Sequence, residues 1–285
     1  MRIRSYGKIN LFLNIIGRRK DGYHDIETLI QRIDLFDEIE VNIDKNFNGV
    51  EIEVTCNHKN VPNNHENLCY KACKWFMEKY DLKGKVTIVI YKNIPVFGGL
   101  GGGTSNAAEI IKLLNEIYEL NISLEILSRE SIILGGDFPY SILGGSILCE
   151  GIGEKIYKLP SLSNKYVVIV KPSFGFSTKD VYENFNIENM KYNINKNHMI
   201  RALENRDFNE VYENVSNTLE YSNVFGMDVI REIKEEFINL GADASSMSGS
   251  GSCVYGMFDD FNKAQNCYDE FKNKYEVFLT KTIDK

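Results

Sequence analysis

Residues 95–108 read Pro95-Val-Phe-Gly98-Gly99-Leu100-Gly101-Gly102-Gly103-Thr104-Ser105-Asn-Ala-Ala108, and five of the six positions from Gly98 to Gly103 are glycine. Without side chains in the way, backbone amides can turn toward one point. A helical pattern follows at once, over 105–120, with Ala108, Ile111, Leu114 and Ile117 or Tyr118 on one side. The first amides of a helix are unpaired and its N-terminal end is positive, so an anion is favoured there. Thr104, Ser105 and Asn106 add hydroxyl and amide groups for capping, phosphate oxygens or a metal ion. The stretch therefore predicts a phosphate cradle built from Pro95, Gly98, Gly99, Leu100, Gly101, Gly102, Gly103, Thr104 and Ser105. Two other phosphate loops are excluded. No Gly-x-x-x-x-Gly-Lys-Ser/Thr occurs, and the dinucleotide fingerprint starting at Gly99 fails in frame at Thr104.

Outward from this loop the chain alternates irregularly between strands and helices. Residues 8–15, 39–43, 50–54 and 86–91 carry strand formers, the middle two with apolar/polar alternation. Residues 66–80 place Leu68, Ala72, Trp75, Phe76 and Met77 near helical spacing, and a further helix is expected over 123–134. A second unit is expected to begin near Leu159-Pro160, giving domains 1–158 and 159–285. It holds a buried-type strand at 166–171, an Asn-rich polar loop at 185–197, and helices over 198–215, 227–239 and 261–273. Strands at 253–258 and 275–280 complete it. Mixed order without steady alternation predicts an α+β fold rather than a doubly wound sheet.

The bulk properties narrow the partners. The chain has 285 residues, 43% hydrophobic and 26% charged, enough for a real core. A net charge of −7 with no basic run argues against nucleic acid. No apolar stretch approaches the roughly 18 residues of a membrane span. The six cysteines show neither Cys-x-x-Cys nor metal spacing, which predicts reduced thiols in a cytoplasmic protein. The first residues lead straight into a patterned strand, so no targeting segment is expected.

Three further signals carry chemistry. In the strand at 8–15, alternation puts Lys8 and Asn10 on one face and Ile9 and Leu11 on the other. Asp137 stands in Gly135-Gly-Asp137-Phe-Pro139, and Met247-Ser-Gly-Ser-Gly251 forms a second glycine-bearing turn. Taken singly, Lys8 reads as a solvated strand residue, Asp137 reads equally as a helix-terminus aspartate, and the Ser/Gly turn reads as an ordinary turn.

Taken together and in this order, the Lys8 region, the loop at 95–108 and the turn at 247–251 resemble the GHMP kinase superfamily along essentially the whole chain. Within it, Asp21-Gly-Tyr23-His24, following Lys8 at this distance, resembles the branch that phosphorylates a cytidine diphosphate-linked polyol for isoprenoid precursors by the non-mevalonate route. The resemblance implies an N-terminal ATP-binding lobe like ribosomal protein S5 and a C-terminal GHMP lobe, with ATP and Mg²⁺ as cofactors. It implies Lys8 and Asp137 as the catalytic pair, Asn10 and Thr178 as substrate contacts, and Tyr23, His24 and Tyr182 around the cytosine. No metal ligand can be assigned. A monomer or weak homodimer is expected. Phe97 and Gly98 depart from the superfamily's loop, where Gly or Ala is usual, and Thr104 replaces a common serine. A sister kinase acting on homoserine, mevalonate or a sugar, and a non-catalytic nucleotide sensor of the same fold, remain the alternatives.

Overall fold

A computed structural model describes residues 1–162, 164–186 and 195–284. Most of the polar loop expected over 185–197 lies outside the described residues. The chain forms two compact units from interleaved segments. Met1–Gly7, Leu35–Val96 and Gly101–Leu143 make the first; Lys8–Asp34, Phe97–Leu100 and everything from Gly144 on make the second. Two long strands, β1 (Arg2–Arg18) and β2 (His24–Asp44), supply residues to both.

In the first unit, β4 (Gly84–Tyr91) pairs antiparallel with residues 38–44 of β2 and parallel with β3 (Val50–Cys56). The helices α1 (Leu68–Lys79), α2 (Gly102–Ile117), α3 (Leu124–Glu130) and α4 (Phe138–Leu143) belong to the same unit. α1 buries Cys69, Ala72, Cys73, Phe76 and Met77, the stripe that a 3.6-residue period predicts. Asn67 caps it by accepting the Cys69 amide at 2.8 Å. That stripe meets Ile110, Ile111 and Leu114 of α2 and the apolar face of β2 and β4, Ile39, Val41, Val86, Ile88 and Ile90, in one core.

In the second unit, residues 26–31 of β2 pair antiparallel with β5 (Ser146–Gly151), which pairs with β6 (Lys155–Lys158). This pairing places residues 144–158 with the later chain. A separate sheet runs β11-β7-β10-β9, all antiparallel: β7 (Tyr166–Lys171), β9 (Ala244–Met247), β10 (Val254–Phe258) and β11 (Glu276–Lys281). The helices α5 (Thr178–Glu183), α6 (Lys196–Asn205), α7 (Phe208–Glu213), α8 (Met227–Asn239) and α9 (Phe261–Phe271) complete the unit. The short strand β8 (Ser216–Asn217) pairs parallel with Phe12 and Leu13 of β1. Ile230, Ile233 and Phe237 of α8 and Ala264, Cys267 and Phe271 of α9 pack on Val168, Val170, Val254 and Phe258.

The α+β class is as expected, and most elements lie where the pattern puts them. Two differences have clear causes. The helix expected over 198–215 is two, because Arg206 turns left-handed at φ 57° and Asp207 caps α7 by accepting the Glu210 amide. The helix expected from 105 begins at Gly102, three residues earlier, inside the glycine run itself.

Candidate functional site

Lys8 is 7% exposed, not the solvated strand residue it resembles when read alone. β1 carries it through a stretch buried from Gly7 to Ile15, and strand alternation sets Lys8 beside Asn10. The Lys8 ammonium donates to Asn10 Oδ1. Asn10 Nδ2 donates to Thr28 Oγ1 at 2.8 Å, and the Thr28 hydroxyl donates to the Phe12 carbonyl at 2.7 Å. The Tyr255 hydroxyl, fully buried, donates to the Asn10 carbonyl at 2.7 Å. Both the backbone and the side chain of Asn10 are therefore fixed.

The first half of the glycine run lies in the same unit, against the turn at 248–253. The Lys8 amide donates to the Leu100 carbonyl at 3.0 Å, the Ser252 amide to Phe97 at 3.3 Å and the Cys253 amide to Gly98 at 3.1 Å. Ser248 Oγ donates to the Gly99 carbonyl at 3.0 Å. Gly99 has φ +75°, and a Cβ there would stand 1.9 Å from the Ser248 carbonyl oxygen. Gly249 has φ +54°, and its Cβ would meet Lys8 Nζ at 3.0 Å. At position 99 only glycine lets the backbones approach so closely, and at 249 glycine leaves the ammonium its room. Lys8, Asn10, Gly98, Gly99, Leu100 and the Ser/Gly turn are thus brought together. Phe97, 59% exposed with φ 57°, rests its Cβ where a side chain on Gly175 would be, so its ring is turned outward at the loop's entrance.

The second half of the run opens α2 in the first unit. Gly101 takes the left-handed conformation at φ 70° as the N-cap residue and makes no side-chain cap. Gly102 sits against Ile94 and Lys92, where a Cβ would come within 2.9 Å of Lys92 Nζ. The close packing leaves little room for a side chain in the first turn. The segment leading in, through half-buried Pro95, is held by Asp37, whose fully buried carboxylate accepts the Asn93 and Ile94 amides at 2.7 Å each and pairs with Lys92. Ser105 Oγ donates to the Tyr6 carbonyl at 2.7 Å, while Thr104 is half-buried on the same turn. Asp137 is exposed, immediately before α4. Its carbonyl accepts both the amide and the hydroxyl of Ser141, and Ser128 Oγ anchors the helix by donating to Pro139.

His24 opens β2 in the second unit, and its ring lies 5.4 Å from that of Tyr182 on α5. Desolvation, helped by nearby Arg18, holds the His24 pKa below the ordinary histidine range, so the imidazole is neutral near pH 7. Tyr23 is 64% exposed. Thr178 Oγ1 lies 3.0 Å from Ser250 Oγ, joining the start of α5 to the Ser/Gly turn.

Four residues that hold this geometry were given no role in the sequence reading. Thr28 and Asp37 act as above. Asn217 Nδ2 donates to the carbonyls of Met247 and Gly249, and Glu220 accepts from Ser246 and the Met247 amide.

Two family models match, the GHMP kinases N terminal domain over residues 67–145 and the GHMP kinases C terminal over residues 199–277. A 4-diphosphocytidyl-2-C-methyl-D-erythritol kinase of Clostridium novyi (strain NT) is 45% identical over 284 residues, covering 99% of this chain and 100% of the relative. One of Clostridium beijerinckii has the same identity and coverage. A crystal structure of a 4-(cytidine 5'-diphospho)-2C-methyl-D-erythritol kinase superimposes with a TM-score of 0.82 at 26% identity, covering 99% of both chains. The homoserine kinase of Cytophaga hutchinsonii shares the fold, with a TM-score of 0.73 at 16% identity over 99% of this chain and 95% of that one.

Proposed function

This chain belongs to the 4-diphosphocytidyl-2-C-methyl-D-erythritol kinases of the GHMP kinase superfamily, and from that membership we infer that it transfers the γ-phosphate of ATP to the 2-hydroxyl of that cytidine diphosphate-linked polyol. The observation that carries the mechanism is the buried Lys8 ammonium, oriented by Asn10 beside the closely packed backbones at Gly99 and Gly249. The amides of the glycine run and of the first turn of α2 bind the phosphates. Lys8 neutralises charge on the oxygen under attack, and Asn10 positions the alcohol. Asp137 accepts the alcohol's proton. A carboxylate is a weak base for an alcohol, which suffices because a loose phosphoryl-transfer transition state needs little early proton removal. A divalent cation delivered with ATP would supply further neutralisation. Among the described residues no three carboxylate, imidazole or thiol groups gather to hold a cation.

The cytosine is recognised by His24, Tyr182 and Tyr23. A neutral imidazole offers one donor and one acceptor to a pyrimidine edge, and the aromatic rings offer faces. Thr178 contacts the substrate beside them. The protein is read as acting in the cytoplasm as a monomer or weak homodimer. Incubation with ATP, Mg²⁺ and a panel of alcohols tests the proposal. ADP release confined to the cytidine diphosphate substrate is expected. Turnover of homoserine or mevalonate instead, or binding without ADP release, would overturn it.

A further inference from the structure

We propose that Thr28 is a positioning residue for this reaction: its hydroxyl fixes which end of the Asn10 amide faces Lys8. The inference rests on the proposed roles of Lys8 and Asn10. Its basis is the direction of three hydrogen bonds. A hydroxyl has one proton, and the Phe12 carbonyl, 2.7 Å away, can only accept, so the Thr28 proton goes there. Toward Asn10, 2.8 Å away, Thr28 then offers only a lone pair, and Asn10 must present its NH₂. The carbonyl end of that amide consequently points at the Lys8 ammonium, which has donors only. A flipped amide would set NH₂ against the ammonium and leave its oxygen facing a hydroxyl with no proton to give.

Thr28 and Asn10 are each 2% exposed, so no solvent competes for these bonds. Thr28 is held in register by β5, opposite Cys149, and the Asn10 main chain by Tyr255. The carbonyl, hydroxyl, amide and ammonium therefore form a polarised chain that starts at a backbone group and ends at the reacting centre.

The test compares Thr28→Val, which keeps the shape and removes the hydroxyl, with Thr28→Ser, which keeps the hydroxyl. Loss of an oriented contact to a charged group predicts a kcat lower by about tenfold or more in Thr28→Val. The KM for ATP should stay within about twofold, and Thr28→Ser should restore most of the rate. In an Asn10→Ala background the Thr28→Val change should add almost nothing, because the amide it orients is gone. Thermal unfolding follows each variant, and Thr28→Ala replaces Thr28→Val if the latter does not fold. Wild-type kcat without the hydroxyl, equal losses in the Val and Ser variants, or full additivity with Asn10→Ala would overturn the inference. Lys8→Ala is measured alongside. An inactive Lys8→Ala with an unaffected Thr28→Val removes this inference alone, whereas an active Lys8→Ala removes the reading beneath it.

Discussion

Two glycines of the same run should respond to alanine in opposite ways. At Gly99 a Cβ would lie 1.9 Å from the Ser248 carbonyl oxygen, whereas ordinary contacts start at 3.4 Å, so one backbone must retreat by about 1.5 Å. The partners are all main-chain atoms of the turn, Gly251 N among them at 3.0 Å, and no side-chain rotation relieves the clash. The left-handed φ of +75° adds about 1–2 kcal/mol for an L-residue. Overpacking of this kind adds about 1–3 kcal/mol. Gly99→Ala should therefore destabilise the second unit by roughly 2–5 kcal/mol and part residues 97–100 from the turn at 248–253. That turn carries Gly249, whose Cα hydrogens face Lys8. A displacement of about 1 Å near reacting groups costs on the order of a hundredfold in rate.

At Gly103 the nearest atom to a Cβ is Leu68 Cδ1 at 3.4 Å, and the residue lies in the first turn of α2. Alanine there meets ordinary contact and gains about 0.5–1 kcal/mol from the smaller entropy of the unfolded chain. Thermal unfolding and steady-state kinetics on the two variants decide the matter. Gly99→Ala should lose stability and about a hundredfold in kcat/KM, while Gly103→Ala should unfold no earlier than the wild type. A wild-type Tm in Gly99→Ala, or an equal loss in Gly103→Ala, would refute the argument from close approach.

Three more outcomes are expected. Lys8→Ala and Asp137→Ala should each lower kcat by about 10²–10⁴-fold with unchanged far-UV circular dichroism; a near-wild-type rate in either ends its assignment. Asp37→Ala, which strands Lys92 and two backbone amides in the core, should cost about 3–5 kcal/mol in a denaturant titration and raise the KM for ATP, since the approach to the glycine run loses its anchor. His24 binds its proton less readily folded than unfolded, so the unfolded chain takes up the extra proton as the pH falls through 6.5. Its contribution to stability is thus present above that pH and lost below it, and the substrate KM should begin to rise at a lower pH than an ordinary histidine would give. His24→Gln should remove both effects.

How much of this was legible depends on whether a residue's role is local in sequence. The glycine run announces itself by its density, and at Gly99 the neighbouring main chain leaves no room for a Cβ. Lys8 and Asn10 were placed on one face by strand alternation alone, and α8 was placed to the residue, over Met227–Asn239, by its apolar stripe. The strand β9 was not found: Ala244-Ser-Ser-Met247 has little strand propensity and exists because β10 pairs with it. The anchoring residues were invisible for a related reason. Asp37 serves amides 56 and 57 positions later, and Asn217 serves carbonyls 30 and 32 positions later. No spacing rule links such pairs.

The consequence is a division of labour with a physical basis. Residues that must leave room, or that carry charge to a reaction, are constrained by what approaches them, and so their types repeat in recognisable order. Residues that hold those in place need only supply a donor or acceptor at the right point in space. A threonine serves at 28, an aspartate at 37, an asparagine at 217 and a glutamate at 220, each holding at least one backbone group. Backbone groups are present at every position, so any strand or turn that passes close enough can be used, and the choice is made by the fold.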